Sequence, residues 1–156
     1  MASSKVTYQK VSTKWGILTG IAYIAYFLIM WALGVLEIIE LSFISGIFLV
    51  IGICVAISRL KRARNGNIEY FEGLAIGATV GVISSAILAL FLVIFVSVLD
   101  TDYLASLQAS SFFPEGITKM ALFGFTIMYG TVPGLWIAFI AMQWFKRRDH
   151  SMSEGV

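Results

Sequence analysis

Four stretches of this chain contain no Asp, Glu, Lys or Arg: Gly16–Leu36, Leu41–Ser58, Gly73–Leu99 and Met120–Phe145. They are 21, 18, 27 and 26 residues long, so 92 of the 156 residues hold none of the 20 formal charges. A helix of roughly 20 apolar residues crosses a hydrocarbon core of about 30 Å. Lipid offers the backbone no hydrogen-bond partners, which restricts a spanning segment to a helix or a closed barrel. None of the four runs alternates polar with apolar residues, as barrel strands do, so helices are expected. The expected fold is an all-α bundle of four transmembrane helices. The second run is near the lower length limit, and the third and fourth are long enough to tilt.

Composition agrees with this distribution. Hydrophobic residues make up 59% of the chain and charged residues 13%, against about 45–50% and 25% in soluble domains. That balance excludes disorder and an ordinary soluble enzyme. A single Cys, Cys54, excludes an intrachain disulfide and a Cys-based metal site, and within an apolar run it reads as a small buried hydrophobe. The segments between the runs are too short to bury a core of their own. Residues 1–156 therefore read as a single integral membrane domain.

The basic residues set an orientation. Lys5, Lys10 and Lys14 precede the first run, Arg59, Lys61, Arg62 and Arg64 follow the second, and Lys146, Arg147 and Arg148 follow the fourth. Only Lys119 falls on the other side. The positive-inside rule places both termini in the cytoplasm, N-in and C-in. The Arg59–Arg64 cluster is then a topology signal that also attracts anionic lipid, and no nucleic-acid partner is expected. Ala32-Leu33-Gly34 resembles a signal-peptide cleavage site, but the run before it is too long for an h-region, so the first span is expected to be retained. Ala2 excludes N-myristoylation. Trp15 and Trp144 stand beside basic residues at one boundary and Trp31 near the other, as interfacial anchors do.

Helices in lipid associate through close packing of small residues. Gly73, Gly77, Gly81, Ser85 and Ala89 recur every fourth residue of the third run, and Gly130, Gly134 and Ala138 repeat that spacing in the fourth. Ser42 with Gly46, Gly52 with Ala56, and Gly16 with Gly20 are further pairs. The long stripe fits either contact within one bundle or a face for a second copy or a partner subunit. Pro133, near the middle of the fourth run, removes a backbone donor and is expected to kink the helix. It is also the candidate hinge. The carbonyl of Tyr129 loses its donor there, and Thr131 or a neighbouring helix is the expected substitute.

No ionisable side chain lies within a run, whereas pumps and ion-coupled transporters keep such groups at membrane depth. The neutral polar groups are fewer: Thr19, Tyr23 and Tyr26 in the first run, Ser84 and Ser85 in the third, and Thr126, Tyr129 and Thr131 in the fourth. Tyr23, Tyr26, Ser84, Thr126 and Thr131 are expected to share one polar seam, as interhelical hydrogen-bonding glue or as the lining of a small cavity for a neutral or lipid-like solute.

Between the second and third runs, Asn65-Gly66 marks a turn, and Glu69 and Glu72 favour a helix start through its dipole. After the third run, Asp100 or Thr101 is placed to cap a short helix with Tyr103, Leu104 and Leu107 on its apolar face, limited by Pro114. Asp100 with Asp102, and Glu37 with Glu40, lack a further ligand cluster, so no metal and no cofactor is expected.

Three features resemble a known family: the stretch Gly66-Asn-Ile-Glu-Tyr-Phe-Glu72 that ends the basic loop, the Gly- and Ser-rich segment Gly77–Ser85, and the acidic sequence Leu99-Asp100-Thr101-Asp102-Tyr103. On these the chain resembles family 4199 of the domains of unknown function, over most of its length. The family often has Pro after the first Asp of the last motif, where this chain has Thr101. The resemblance implies four membrane helices and a bacterial inner membrane, and it carries over no catalytic or binding residue.

With no nucleophile–base pair, metal cluster or phosphate loop, catalysis is not expected. The leading expectation is an accessory subunit or homo-oligomer acting by helix association, with the Gly73–Ala89 face as its contact. The alternative is a small transporter or channel component that uses the Pro133 kink and the polar seam.

Overall fold

The computed structural model describes residues 8–35, 39–63, 68–99, 102–109 and 117–146; within these, the side chains of 39–43, 104, 106, 107, 109, 145 and 146 also lie outside the description. Five helices follow in order: α1 (Tyr8–Ala32), α2 (Ile39–Ala63), α3 (Tyr70–Val98), α4 (Asp102–Ala109) and α5 (Lys119–Lys146). Four of them, all except α4, are long and apolar enough to cross a membrane. No strand occurs among the described residues.

The helices do not stop where the uncharged runs do. α1 starts before Lys10 and Lys14, and α2 continues through Arg59, Lys61 and Arg62. Lys and Arg are good helix formers, and outside the hydrocarbon water hydrates their charges, so nothing ends the helix at the first cation. At its other end α1 stops early, at Ala32 and not at Leu36. Gly34 takes a left-handed φ of 67°. The amides of Gly34 and Val35 then donate to the carbonyls of Trp31 (3.0 Å) and Met30 (3.1 Å). This is a Schellman closure, which needs a residue free of a Cβ at the left-handed position.

α3 is the central helix. It touches α1, α2, α4 and α5, whereas α1 and α5 do not touch each other among the described residues. α2 leans on α1, α3 and α5. Two cores result, one toward each end of the bundle. The first joins Ile53, Ile57 and Leu60 of α2 with Ile76 and Val80 of α3 and Ala138 and Met142 of α5, and Trp15 of α1 lies against it. The second joins Leu92, Phe95 and Val96 of α3 with Leu122 of α5, Phe27 of α1 and Tyr103 of α4. Each core mixes the start of one helix with the end of the next, which makes the bundle up-down-up-down. No described residue of α2 reaches the second core.

The connections at the second end are pinned by polar contacts. Lys119 Nζ donates to Ser97 Oγ (3.1 Å), tying the start of α5 to the end of α3. Gln108 Nε2 of α4 donates to the Ile117 carbonyl (3.1 Å), and Thr118 Oγ1 accepts from the Ala121 amide (3.2 Å) as an N-cap. α4 is the short helix foreseen after the third run; its proposed caps Asp100 and Thr101, and Pro114, lie outside the described residues, as do the side chains of Leu104 and Leu107. Much of the outer surface is apolar, with Ile17, Ile21, Ile47, Ile51, Leu90 and Ile94 all exposed. Lipid covers such a surface at no cost, because the tails are as apolar as the side chains.

Candidate functional site

The stripe of small residues on α3 meets the stripe on α5 of the same chain. Glycine has no Cβ, and at these positions none fits. A Cβ on Gly81 would lie 2.9 Å from the Gly130 carbonyl oxygen, and one on Gly134 would lie 2.9 Å from the Gly77 oxygen and 3.2 Å from Gly81 Cα. At Gly77 it would meet Ala138 Cβ and, at 2.7 Å, the Gly134 oxygen. Gly130 faces the Ser85 side chain. Gly73 differs, because its neighbour is the flexible thioether of Met142, not backbone. Ala89 is fully buried farther along α3. The face expected to serve a second copy or a partner from Gly73 to Ser85 is thus filled by α5 from within. Of the two arrangements that the spacing allowed, this is the contact within one bundle: the spacing identifies a close-packing face, while the partner that fills it is set by the fold.

Glycines also bring α1 against its neighbours. Cβ atoms on Gly16 and Gly20 would meet Ile83 (2.8 Å) and Ile87 (3.0 Å) of α3, and one on Gly52 of α2 would meet the Thr19 hydroxyl.

The hydroxyls near this seam are spent on backbone carbonyls. Ser84 and Ser85 Oγ both donate to the Gly81 carbonyl, at 3.2 and 2.6 Å. Ser85 also approaches the Ile127 carbonyl across the interface, at 3.4 Å. Thr126 donates to Leu122 (2.7 Å) and Thr131 to Ile127 (2.7 Å), each one turn back along α5. Thr131 therefore does not serve the Tyr129 carbonyl that Pro133 frees, which removes one of the two expected substitutes. Its hydroxyl reaches the carbonyl four residues back, the usual geometry for Thr in a helix.

The single polar seam divides in two. Tyr23 is buried in the first core and Tyr26 lies against the Phe48 ring, with centroids 5.7 Å apart. Both stand on α1, which among the described residues does not touch the helix carrying Thr126 and Thr131. α3 lies between them, and periodicity alone does not reveal which helix takes the centre. α5 runs as one helix through Pro133, whose ring is exposed on the outer side. Pro133 thus faces away from the bundle interior, next to Gly134 at the seam.

Two groupings were not foreseen in the sequence. Trp136 of α5 is 64% exposed. Its ring meets that of Phe139 at a steep angle (centroids 6.3 Å apart), and its N–H has no hydrogen-bond acceptor among the described residues. It lies about 5 Å along the axis from the middle of its uncharged run. A tryptophan so far from both interfaces was itself a readable signal. The second grouping is a cleft between the start of α1 and the end of α2, where Lys10, Lys14, Arg59 and Arg62 converge. The spacings i,i+4 and i,i+3 put each pair on one helix face. Lys5, Arg64, Arg147, Arg148 and the Asn65-Gly66 turn lie outside the described residues, as do Glu37, Asp100 and the side chains of Glu40 and Lys146.

Four long apolar helices packed closely through glycines define a multi-pass membrane protein. The chain belongs to the family described as "Protein of unknown function (DUF4199)", whose model matches residues 14–143. Searches of curated proteins and of solved structures each return no match.

Proposed function

We propose that this protein acts without catalysis, by associating in the bilayer through the outer face of α5 with the helix of a second copy or of a partner subunit. The interior supports this reading. Its close contacts are filled by its own helices, and the Ser84, Ser85, Thr126 and Thr131 hydroxyls are used by backbone carbonyls. What remains for function is the surface.

The observation that carries the reading is Trp136. Tryptophan favours the membrane boundary, where its N–H meets water or headgroups. On a membrane-spanning α5 an N–H at this position faces hydrocarbon, which has no acceptor to offer. Val132 and Ile140 flank it on the same exposed face at i,i+4 spacing. A facing helix would supply both packing area and an acceptor, and tryptophan anchors are among the residues that dominate interface energies. The basic segments and the family support a bacterial inner membrane with both termini in the cytoplasm.

The test is mild-detergent purification from the native membrane, with native mass spectrometry of what accompanies the chain. The expected result is a complex, either a homo-oligomer or one with a distinct polypeptide, whose population falls at least about tenfold in Trp136→Leu, from roughly 2 kcal/mol for a hot-spot residue. Thermal stability of the lone bundle should be unchanged, because the ring is exposed. A wild-type protein that is monomeric and alone, or a complex indifferent to Trp136→Leu, would overturn the proposal.

A further inference from the structure

We infer that the cleft between α1 and α2 is a binding site for the phosphodiester headgroup of an anionic phospholipid. Lys10 and Lys14 form one wall and Arg59 and Arg62 the other, over a floor that includes Val11 and Trp15. The floor residues rest on the first core, which fixes them, while the four cations are exposed. Among the described residues none of the four makes an ion pair. The cleft is open to its surroundings and offers about 600 Å³, far more than one bare phosphate needs.

Its depth matches a headgroup. Lys14 stands two residues before the first uncharged run, and Arg59 immediately follows the second. The cleft therefore opens at the level where lipid phosphates lie. Arginine adds a planar fork of donors that suits a phosphate, and lysine a point charge. The end of α2 contributes outward carbonyls that offset part of the positive field, so the four side chains supply the attraction.

The surface beyond the cleft favours a lipid over free phosphate. On α1, Lys10 and Lys14 share a helix face with the exposed Ile17, Leu18 and Ile21. On α2, Arg59 and Arg62 share one with the exposed Ile51, Ile47 and Ile44. Each cationic wall thus runs directly into an apolar stripe in the hydrocarbon, where acyl chains would lie once the phosphate is held.

The experiment uses the full chain, delipidated in mild detergent, titrated with phosphatidylglycerol or phosphatidylcholine of identical acyl chains, or with inorganic phosphate, and read by native mass spectrometry. Phosphatidylglycerol should bind at least tenfold more tightly than phosphatidylcholine. Lys14→Gln/Arg59→Gln should weaken it about 25-fold, at roughly fivefold per cation near a membrane surface. Arg147→Gln/Arg148→Gln, which removes two cations from the C-terminal segment, should change it by less than about twofold. Should the first variant not fold, Lys10→Gln/Arg62→Gln tests the same walls. Equal losses in the cleft and C-terminal variants would reduce the effect to a general basic surface and overturn the site. So would equal affinity for the two lipids. Displacement of the lipid by inorganic phosphate at matched concentration would overturn the lipid assignment in favour of a free anion.

Discussion

Gly81→Leu should separate α3 from α5 and lower the stability of the bundle by about 3 kcal/mol or more, at the upper end of what overpacking usually costs. The reason is what stands opposite. A side chain at this position meets the carbonyl of Gly130 and Thr131 Cα, and backbone does not rotate away as a side-chain tip does. The helices must part, and every close contact from Gly77 to Ser85 loosens with them. Two controls sharpen the result. Gly124 of α5 has nothing within 4 Å of its missing Cβ, so Gly124→Leu should leave stability nearly unchanged. Gly73 faces Met142, so Gly73→Ala should cost much less than Gly81→Leu, because the thioether repacks. Thermal unfolding in detergent, followed by helical circular dichroism, measures all three. A Gly81→Leu protein as stable as wild type would refute the backbone-on-backbone seam.

Phe95→Ala should cost about 2 kcal/mol and loosen the end of the bundle bearing α4. Phe95 is fully buried, and its ring meets Phe27, Trp31, Phe91 and Tyr103 with centroids 5.0 to 5.9 Å apart. In a soluble core, a Phe→Ala change costs about 3–5 kcal/mol. Part of that figure is the loss of transfer out of water, which is absent when the unfolded reference is also in lipid. The cavity and the lost ring contacts remain. Among the described residues α2 adds none to this core. Protease accessibility of the α4 region should rise while the first core, around Ile57 and Ile76, stays intact. Uniform loosening of both ends would contradict the division into two cores.

Much of the fold was legible because lipid leaves the chain so few options. A run without charge in this composition has to be a spanning helix, and each of the four runs falls on a long helix, the first overrunning its helix by four residues and the third by one. The i,i+4 stripes on α3 and α5 were equally visible. Their pairing was not, because the same spacing suits a neighbour in the chain and a neighbour in another molecule. The order around the axis was hidden for a similar reason. Long uniformly apolar helices have no polar face to show which side points inward, so α3's place at the centre emerges only from packing. The polar seam failed on that point. The cations show another limit. Read one by one, Lys10, Lys14, Arg59 and Arg62 mark a membrane side; only the antiparallel pairing of α1 with α2 makes them neighbours. Trp136 was legible in the sequence, since its position in the run is a matter of counting residues.

The central place of α3 bears on how the molecule is made. A ribosome delivers the helices in order, so α1 and α2 enter the bilayer before their shared neighbour exists. α1 finds most of its close fit on α3, through Gly16 and Gly20, and meets α2 by the narrower Thr19–Gly52 and Tyr26–Phe48 contacts. The early hairpin is therefore a loosely joined intermediate, and arrival of the third span closes it. The last span then locks into a groove already lined by Gly77 and Gly81. On this packing, the contacts that hold α1 in the bundle are completed only once the third span is present, so the midpoint of the chain and not its last helix closes the fold.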